Sequence, residues 1–406
     1  MILIWGASVF AQDDLTVVAV GQAELESDGI SFVQKGDHPE AKTIMTILNS
    51  DFGYYKKRFS VMDSKSTGAK YVATINFSAA GYSFDLANTT SKSSVSSGSG
   101  SIAGNIRKSA HSLADEIYKS ITGRKSIFQS RIAFVSDRTG THKNPIKELY
   151  IMDFDGGNKQ QLTNWRGTVI SPAISGDGQR ILYSLIKEGG KRNINLYLYN
   201  LGTGESRMIS SRAGINSGAV FMPDENEILL TLSHTGNAEL YVLNLTTNAL
   251  RKVTSHYASD VDPSITPDGR LITFLTDRPG KAEVYTGDPS GTEKNMKRIS
   301  YVGKFNATPR FSPDGKEIVF ASWLDERFDL FRIGADGKGL GRLTKDFGSN
   351  EDPTYSSDGE FIAFTSQRVI SQTKADQRIY IMDRDGAILG SITDNYGNCQ
   401  SPRWSK

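Results

Sequence analysis

Between Asp262 and Thr344 the order of apolar and polar positions states itself twice. Asp262-Pro263-Ser264-Ile265-Thr266-Pro267-Asp268-Gly269 leads into an apolar run from Leu271 to Leu275. Thr276-Asp277-Arg278, a run from Glu283 to Tyr285, and the close Arg298-Ile299-Ser300 follow. Thr308-Pro309-Arg310-Phe311-Ser312-Pro313-Asp314-Gly315 restarts the order, which closes at Arg342-Leu343-Thr344. Short β-type runs repeating at roughly 45 residues predict the blades of a β-propeller.

The same marker recurs at Pro172, Pro263, Pro309, Pro353 and Pro402, with Gly218 filling the place in a blade that lacks the proline. Asp177-Gly178, Asp268-Gly269, Asp314-Gly315 and Asp358-Gly359 each sit between two apolar runs. Glycine accepts positive φ freely, so each pair predicts a tight turn joining an inner strand to a second strand. Ser401-Pro402-Arg403-Trp404-Ser405 reads as an inner strand with nothing after it, whereas Arg131 to Arg138 reads as a second strand with nothing before it. Pairing the two closes a six-bladed ring and removes two free sheet edges. An open stack of repeats is the alternative.

Before the repeats the periodicity changes. Leu15 to Val20 is a β run. After His38-Pro39-Glu40, residues Ile44, Ile47 and Leu48 share a helical face. Tyr71 to Phe77 and Tyr82 to Leu86 predict a hairpin. Ile102, Ile106, Ala110, Leu113, Ile117 and Ile121 step by three or four, a helix ending at Gly123. The Ser/Gly-rich stretch Thr89 to Ser101 reads as a flexible loop rather than a polar edge strand. The predicted fold is thus an α+β N-terminal domain, one sheet covered by two helices, followed by an all-β six-bladed propeller closed by the C-terminal strand. Its predicted boundaries are 1–11 for a signal-peptide-like segment, 12–125 for the N-terminal domain and 126–406 for the propeller.

Composition narrows the function. Lys and Arg nearly balance Asp and Glu, for a net charge of +2, so no basic field favours nucleic acid. One cysteine, Cys399, and five scattered histidines offer no zinc-type spacing. Met1 to Ala11 is apolar and ends in a small residue, with Val9 and Ala11 at the −3 and −1 places of a cleavage site before Gln12. It is too short to span a bilayer. No G-x-S-x-G, P-loop or H-E-x-x-H occurs. Gly98-Ser99-Gly100 is followed by Gly104 one place too late for a dinucleotide loop. Asp153-Phe154-Asp155-Gly156, Asp336-Gly337 and Asp383-Arg384-Asp385-Gly386 resemble fragments of calcium loops. Their recurrence at one place in the blade reads as turn chemistry, since the full ligand set is absent. Ser136-Asp137-Arg138 and Thr276-Asp277-Arg278 also recur by blade, which favours loop pairing over catalysis. Catalytic, cofactor and metal residues are therefore expected to be absent.

The loops entering the inner strands converge on one mouth of the ring, a geometry suited to a protein partner. Candidate contact residues there are Ile215, Asn216, Gly218, Asp260, Val261, Asp262, Asn306, Ala307, Asn350, Glu351, Asn398 and Gln400. The plainer reading of each is a turn former.

The whole arrangement resembles the TolB family, periplasmic propellers of the Tol–Pal envelope system. The resemblance rests on the signal-like start, the small α/β domain, the junction Ile121-Thr122-Gly123-Arg124-Lys125-Ser126-Ile127-Phe128-Gln129-Ser130-Arg131-Ile132-Ala133-Phe134, and the Ser-Pro-Asp-Gly-type blades. It implies a monomeric, non-enzymatic periplasmic protein with no cofactor, nucleic acid or membrane span. It further implies docking of a Pal-type peptidoglycan-associated lipoprotein on a propeller face. The N-terminal tip, Asp13, Asp14 and Leu15, would meet a TolA-type inner-membrane protein. Envelope integrity, outer-membrane constriction in division and uptake of macromolecules are the implied roles. Two stretches depart from the family: Glu24 to Ile30, and the entry Ile215-Asn216-Ser217-Gly218. Propellers also host hydrolase-associated and small-ligand or sugar-binding functions, which form the competing class.

Overall fold

The computed structural model describes residues 27–102, 104–141, 146–187, 193–293, 295–371 and 374–405. The signal-like start, the Leu15 to Val20 run and the tip Asp13, Asp14 and Leu15 lie outside the described residues.

The N-terminal unit comprises β1 (Asp28–Gly36), α1 (Ala41–Tyr54), β2 (Phe59–Met62), β3 (Tyr71–Ser78), β4 (Gly81–Asn88), β5 (Ser93–Gly100) and α2 (Ile106–Thr122). The sheet order is β2-β1-β3-β4-β5, with β1 parallel to both neighbours and β3-β4-β5 antiparallel. The helical stripes bury as their spacing predicts: Ile44, Ile47, Leu48 and Phe52 from α1, and Leu113, Ala114 and Ile117 from α2. They cover Ile30, Phe32, Ile75 and Phe84 of the sheet. Asn105 caps α2 by accepting from the Lys108 amide, and Gly123 ends it at φ 70°.

One expectation fails in this unit. The stretch read as a loop contains β5, an edge strand paired with β4 from Tyr82↔Gly100 to Asn88↔Ser93. Its side chains bury no apolar face, so composition carried no strand signal; main-chain pairing to the open edge of β4 makes the strand. Glycine is required at two places. A Cβ on Gly98 would stand 2.6 Å from the Phe84 ring, and one on Gly100 would stand 2.5 Å from Tyr82 Oη.

The rest is a ring of six four-stranded sheets. The first blade combines Arg131–Ser136, Glu148–Asp153 and Gln160–Gln161 with the C-terminal strand Cys399–Trp404. Cys399 pairs with Ser136, Gln400 with Val135 and Trp404 with Ile132. The ring closes as the orphan strands predict. The inner strands of the second to sixth blades are Thr168–Ile174, Asn216–Phe221, Asp260–Ile265, Asn306–Phe311 and Ser349–Tyr355. Apolar residues fill the wedges between blades; Leu275 and Val284 of the fourth blade pack with Phe311, Ile318 and Phe320 of the fifth.

The N-terminal unit docks on the face that carries the Asp-Gly turns. Lys57 pairs with Asp383 and Asp385 at 2.9 and 2.7 Å, and Arg58 with Glu360 at 3.2 Å. Arg107 pairs with Asp153 and Asp155, and Tyr55 Oη donates to Asp358. Two of the calcium-loop-like turns, at Asp153–Gly156 and Asp383–Gly386, therefore serve as acidic sockets for this unit. Tyr54 and Tyr55 set their rings against Phe154 and Phe361 at 5.1 Å. The opposite face, formed by the entry loops, carries none of these contacts.

Candidate partner-docking face and channel

Each inner strand enters from that opposite face and then kinks. The register shifts between Ser217 and Val220, Val261 and Ser264, Ala307 and Arg310, Glu351 and Thr354, and Gln400 and Arg403. At the kink Ser171, Asp262, Thr308, Asp352 and Ser401 hold φ between 48 and 53°, each just before the marker proline. Gly218 holds φ 61° at the same place. The proline's counterpart in that blade is therefore Ala219, one residue later than the sequence alignment puts it. A β-bulge that puts non-glycine residues at positive φ is imposed by the closed ring, and it aims these positions at the central channel.

The residue two places before the kink points the other way, into the wedge between blades. Asn216, Asp260, Asn306 and Asn350 are buried there. Asn306 Nδ2 donates to Glu283 Oε2 at 2.6 Å and to Ser300 Oγ at 2.8 Å, both in the preceding blade. Asn350 reaches Thr344 Oγ1 at 3.2 Å, and Thr344 donates to Asp329 at 2.8 Å. Asn216 donates to the Ile194 and Arg212 carbonyls, and Asp260 pairs with Arg278 at 2.7 Å. The hydroxyl that closes each sequence repeat has its role here. Thr163, Thr254, Ser300 and Thr344 each bind a buried acid, Glu148, Glu239, Glu283 or Asp329, while accepting from a main-chain amide of the third strand. This network locks a blade's last strand and, in two blades, the next blade's first, while Asn306 Oδ1 and Asn350 Oδ1 stay buried with no hydrogen-bond partner among the described residues. Four of the candidate contact residues are thus latches beneath the face, with side chains turned away from it.

The other candidates spread over the mouth. Gly218, Val261 and Asp262 line a chamber of about 220 Å³ with Asp352, Ser401 and Arg403. Arg310 holds Asp262 at 2.7 Å, and Ser401 donates to Asp352 at 2.8 Å. Ile215 and Ala307 are part-buried at the rim. Glu351 is partly buried and its carboxyl is pushed up to about 7, by burial first and by the neighbouring Asp352 second. Asn398 binds Asp137 through both its amide groups, at 2.8 and 2.7 Å, and Gln400 accepts from Lys147 at 2.8 Å. Asp277 likewise accepts from the Ser259 amide at 2.7 Å. The repeated Asp-Arg pairs therefore tie neighbouring loops together.

Sequence reasoning missed the residues that stand out from this face. Tyr257 and Tyr301 are 85% and 72% exposed on the entry loops of adjacent blades. On the same entry loop as Tyr301, Phe305, 40% exposed, stacks on Trp323 and meets Phe328 edge-on. Their signal was an aromatic within three residues after the closing hydroxyl, at Thr254 or Ser300, where a loop has no core to fill. Exposed aromatics on a rigid frame carry binding energy at little entropic cost.

Among the described residues one set of possible metal ligands lies close together: Asp51, His111 and Asp155, within 4.8 Å of one another. It sits at the junction of the N-terminal unit with the first blade, away from the mouth. Arg107 already occupies it, paired to Asp155 and 3.3 Å from His111 Nε2. The guanidinium supplies the positive charge there, and the cluster reads as an interface ion network.

Residues 118–406 match the family described as TolB beta propeller domain. A Tol-Pal system protein TolB of Rickettsia akari is 33% identical over 131 residues, 32% of this chain and 29% of the relative. Its counterpart in Rickettsia bellii is 31% identical over the same shares. The alignment thus spans under a third of these relatives' length. The crystal structure of TolB from Acinetobacter baumannii superposes with a TM-score of 0.79 at 24% identity, over 95% of this chain and 98% of that one. At that identity the likeness speaks for the fold. Hydrazine synthase of Kuenenia stuttgartiensis shares the architecture more loosely, with a TM-score of 0.52 over 68% of this chain.

Proposed function

The chain belongs to the TolB β-propeller family, and from that premise we propose that it is a non-enzymatic docking scaffold of a Tol–Pal system in the periplasm. The entry-loop face receives a Pal-type lipoprotein, and the N-terminal segment around Asp13, Asp14 and Leu15 meets a TolA-type inner-membrane protein. The carrying observation is the asymmetry of the two propeller faces. The turn face is partly covered by the N-terminal unit through Lys57, Arg58 and Arg107. The entry-loop face offers Tyr257, Tyr301 and Phe305 to solvent above a latched, rigid ring.

Cavity size argues against turnover of an organic substrate in the channel; the larger cavities, of about 360 and 470 Å³, lie instead where the N-terminal unit meets the sixth blade. The chambers at the two ends of the channel measure about 220 and 180 Å³, below the roughly 300 Å³ at which small-molecule pockets begin. No helix among the described residues is long and apolar enough to cross a membrane. Titration of the full chain with a Pal-type lipoprotein, for wild type and for Tyr257→Ala/Tyr301→Ala, tests the reading. Weaker binding at an unchanged melting temperature is expected. Equal binding by that double variant, with loss on altering the Asp314-Gly315 turn instead, would place the partner on the wrong side of the ring for this proposal.

A further inference from the structure

The residue after each marker position faces the channel: Ala173, Val220, Ser264, Arg310, Thr354 and Arg403 together line the lower cavity of about 180 Å³. Two of the six are arginines two blades apart, with Thr354 on the blade between them. Each arginine is only 8% exposed.

Arg310 is matched in charge. Its Nη2 donates to Asp262 Oδ1 at 2.7 Å and its Nη1 to the Pro309 carbonyl at 2.7 Å, but its Nε is buried without a partner. Arg403 is not matched. Among the described residues its side chain makes a single hydrogen bond, from Nη1 to the carbonyl of Pro402 at 2.7 Å. Among the described residues it has no ion-pair partner. It lines both the lower and the upper chamber, so its guanidinium stands where the two meet. Burial, then Arg310, lowers its pKa to about 10, while Asp352 and Asp262 act against that shift from beyond ion-pair distance. The group stays protonated at neutral pH. A buried cation is normally paired, and two guanidiniums that repel each other share one remedy, an anion between them.

We propose that Arg403 and Arg310 form a binding site in the propeller channel for one small oxyanion. Planar guanidinium forks suit the oxygens of phosphate- or carboxylate-type groups better than a spherical halide. The Thr354 hydroxyl accepts from the Trp404 amide at 3.4 Å and keeps its own hydrogen to donate. A cation is disfavoured at the same level because Asp262 and Asp352 are engaged by Arg310 and Ser401.

The test is calorimetric titration of the full chain with inorganic phosphate, ionic strength being held constant with sodium chloride, together with melting curves in the same buffers. One saturable site and a melting temperature raised above that in chloride are expected. Arg403→Gln should weaken phosphate binding by about tenfold or more, the loss typical of a charge-assisted hydrogen bond. Arg403→Lys keeps the charge without the fork, should fall between the two, and serves if the glutamine variant folds poorly. Absence of saturable binding at millimolar phosphate overturns the proposal. So does equal competition by chloride, or wild-type affinity in a folded Arg403 variant.

Discussion

The indole of Trp404 donates to Ser130 Oγ at 2.7 Å, joining positions 274 residues apart. Ser130 is the last residue before the propeller's first strand, and Trp404 lies on its last. The bond therefore fastens the ring's seam to the linker from the N-terminal unit. Trp404 is buried with Ile127, Phe128 and Phe361 in a core shared by both parts.

Deleting 400–406 should accordingly abolish the cooperative melt or lower its midpoint sharply, because it strips an inner strand and exposes the edge of Arg131–Ser136. Trp404→Phe keeps most of the volume and loses the hydrogen bond, so a loss of about 1–2 kcal/mol is expected. Chemical denaturation of both proteins measures this. An unchanged midpoint in the truncated protein is incompatible with a closed ring.

Asn306 is the clearest latch. Asn306→Ala leaves Glu283 and Ser300 without their cross-blade donor, and a destabilisation of about 1–3 kcal/mol is expected. Asn306→Asp should be worse, since it sets a second carboxylate against Glu283. If both variants melt like wild type, the network is dispensable.

Tyr257 and Tyr301 should behave oppositely. Their rings are exposed and packed on one side only, Tyr301 under Arg298 at 4.3 Å and Tyr257 beside His256. Alanine at either should shift stability by no more than about 0.5 kcal/mol while weakening the partner by about 1–2 kcal/mol. The measurement pairs a melt with a binding titration on the same sample. Loss of fold with loss of binding would deny these residues a direct contact role.

The junction of the two parts should be pH-sensitive through Asp51. Burial raises its carboxyl from 3.8 to about 6; His111 and Arg107 oppose that, and Asp155 adds to it. Tyr54 also packs nearby, its own hydroxyl raised by burial and by both acids. The folded protein therefore binds more protons than the unfolded chain between about pH 4 and 6. This group's stabilisation is full below that window and is lost as pH rises through 6, by at most about 3 kcal/mol. Asp51→Asn should flatten the stability profile over that range relative to wild type. Parallel profiles for the two proteins would show that Asp51 does not titrate there.

The blades were legible because their signals are local. Asp-Gly turns, period-two runs and a marker every blade depend on a few adjacent residues, as do the helical stripes of α1 and α2. Even ring closure followed from sequence, since an orphan first strand and an orphan last strand have one economical pairing. The strand β1, between β2 and β3, was passed over, because only Ile30 to Phe32 are buried in it. β5 was misread, because main-chain pairing leaves no mark on a Ser/Gly composition.

The site was less legible than the fold, and for one physical reason. On an inner strand the sequence sets the alternation of side chains, but the bulge at Asp262 and its equivalents resets which residues face the channel and which the wedge. Asn306 and Asp262 look alike as polar entry residues. The ring buries the first against Glu283 and turns the second to the mouth beside Arg310. Local chemistry determined the elements and their order. Only closure of the ring decided which polar residues became latches, which aromatics were left in solvent, and that Arg403 would stand in the channel with no ion-pair partner among the described residues.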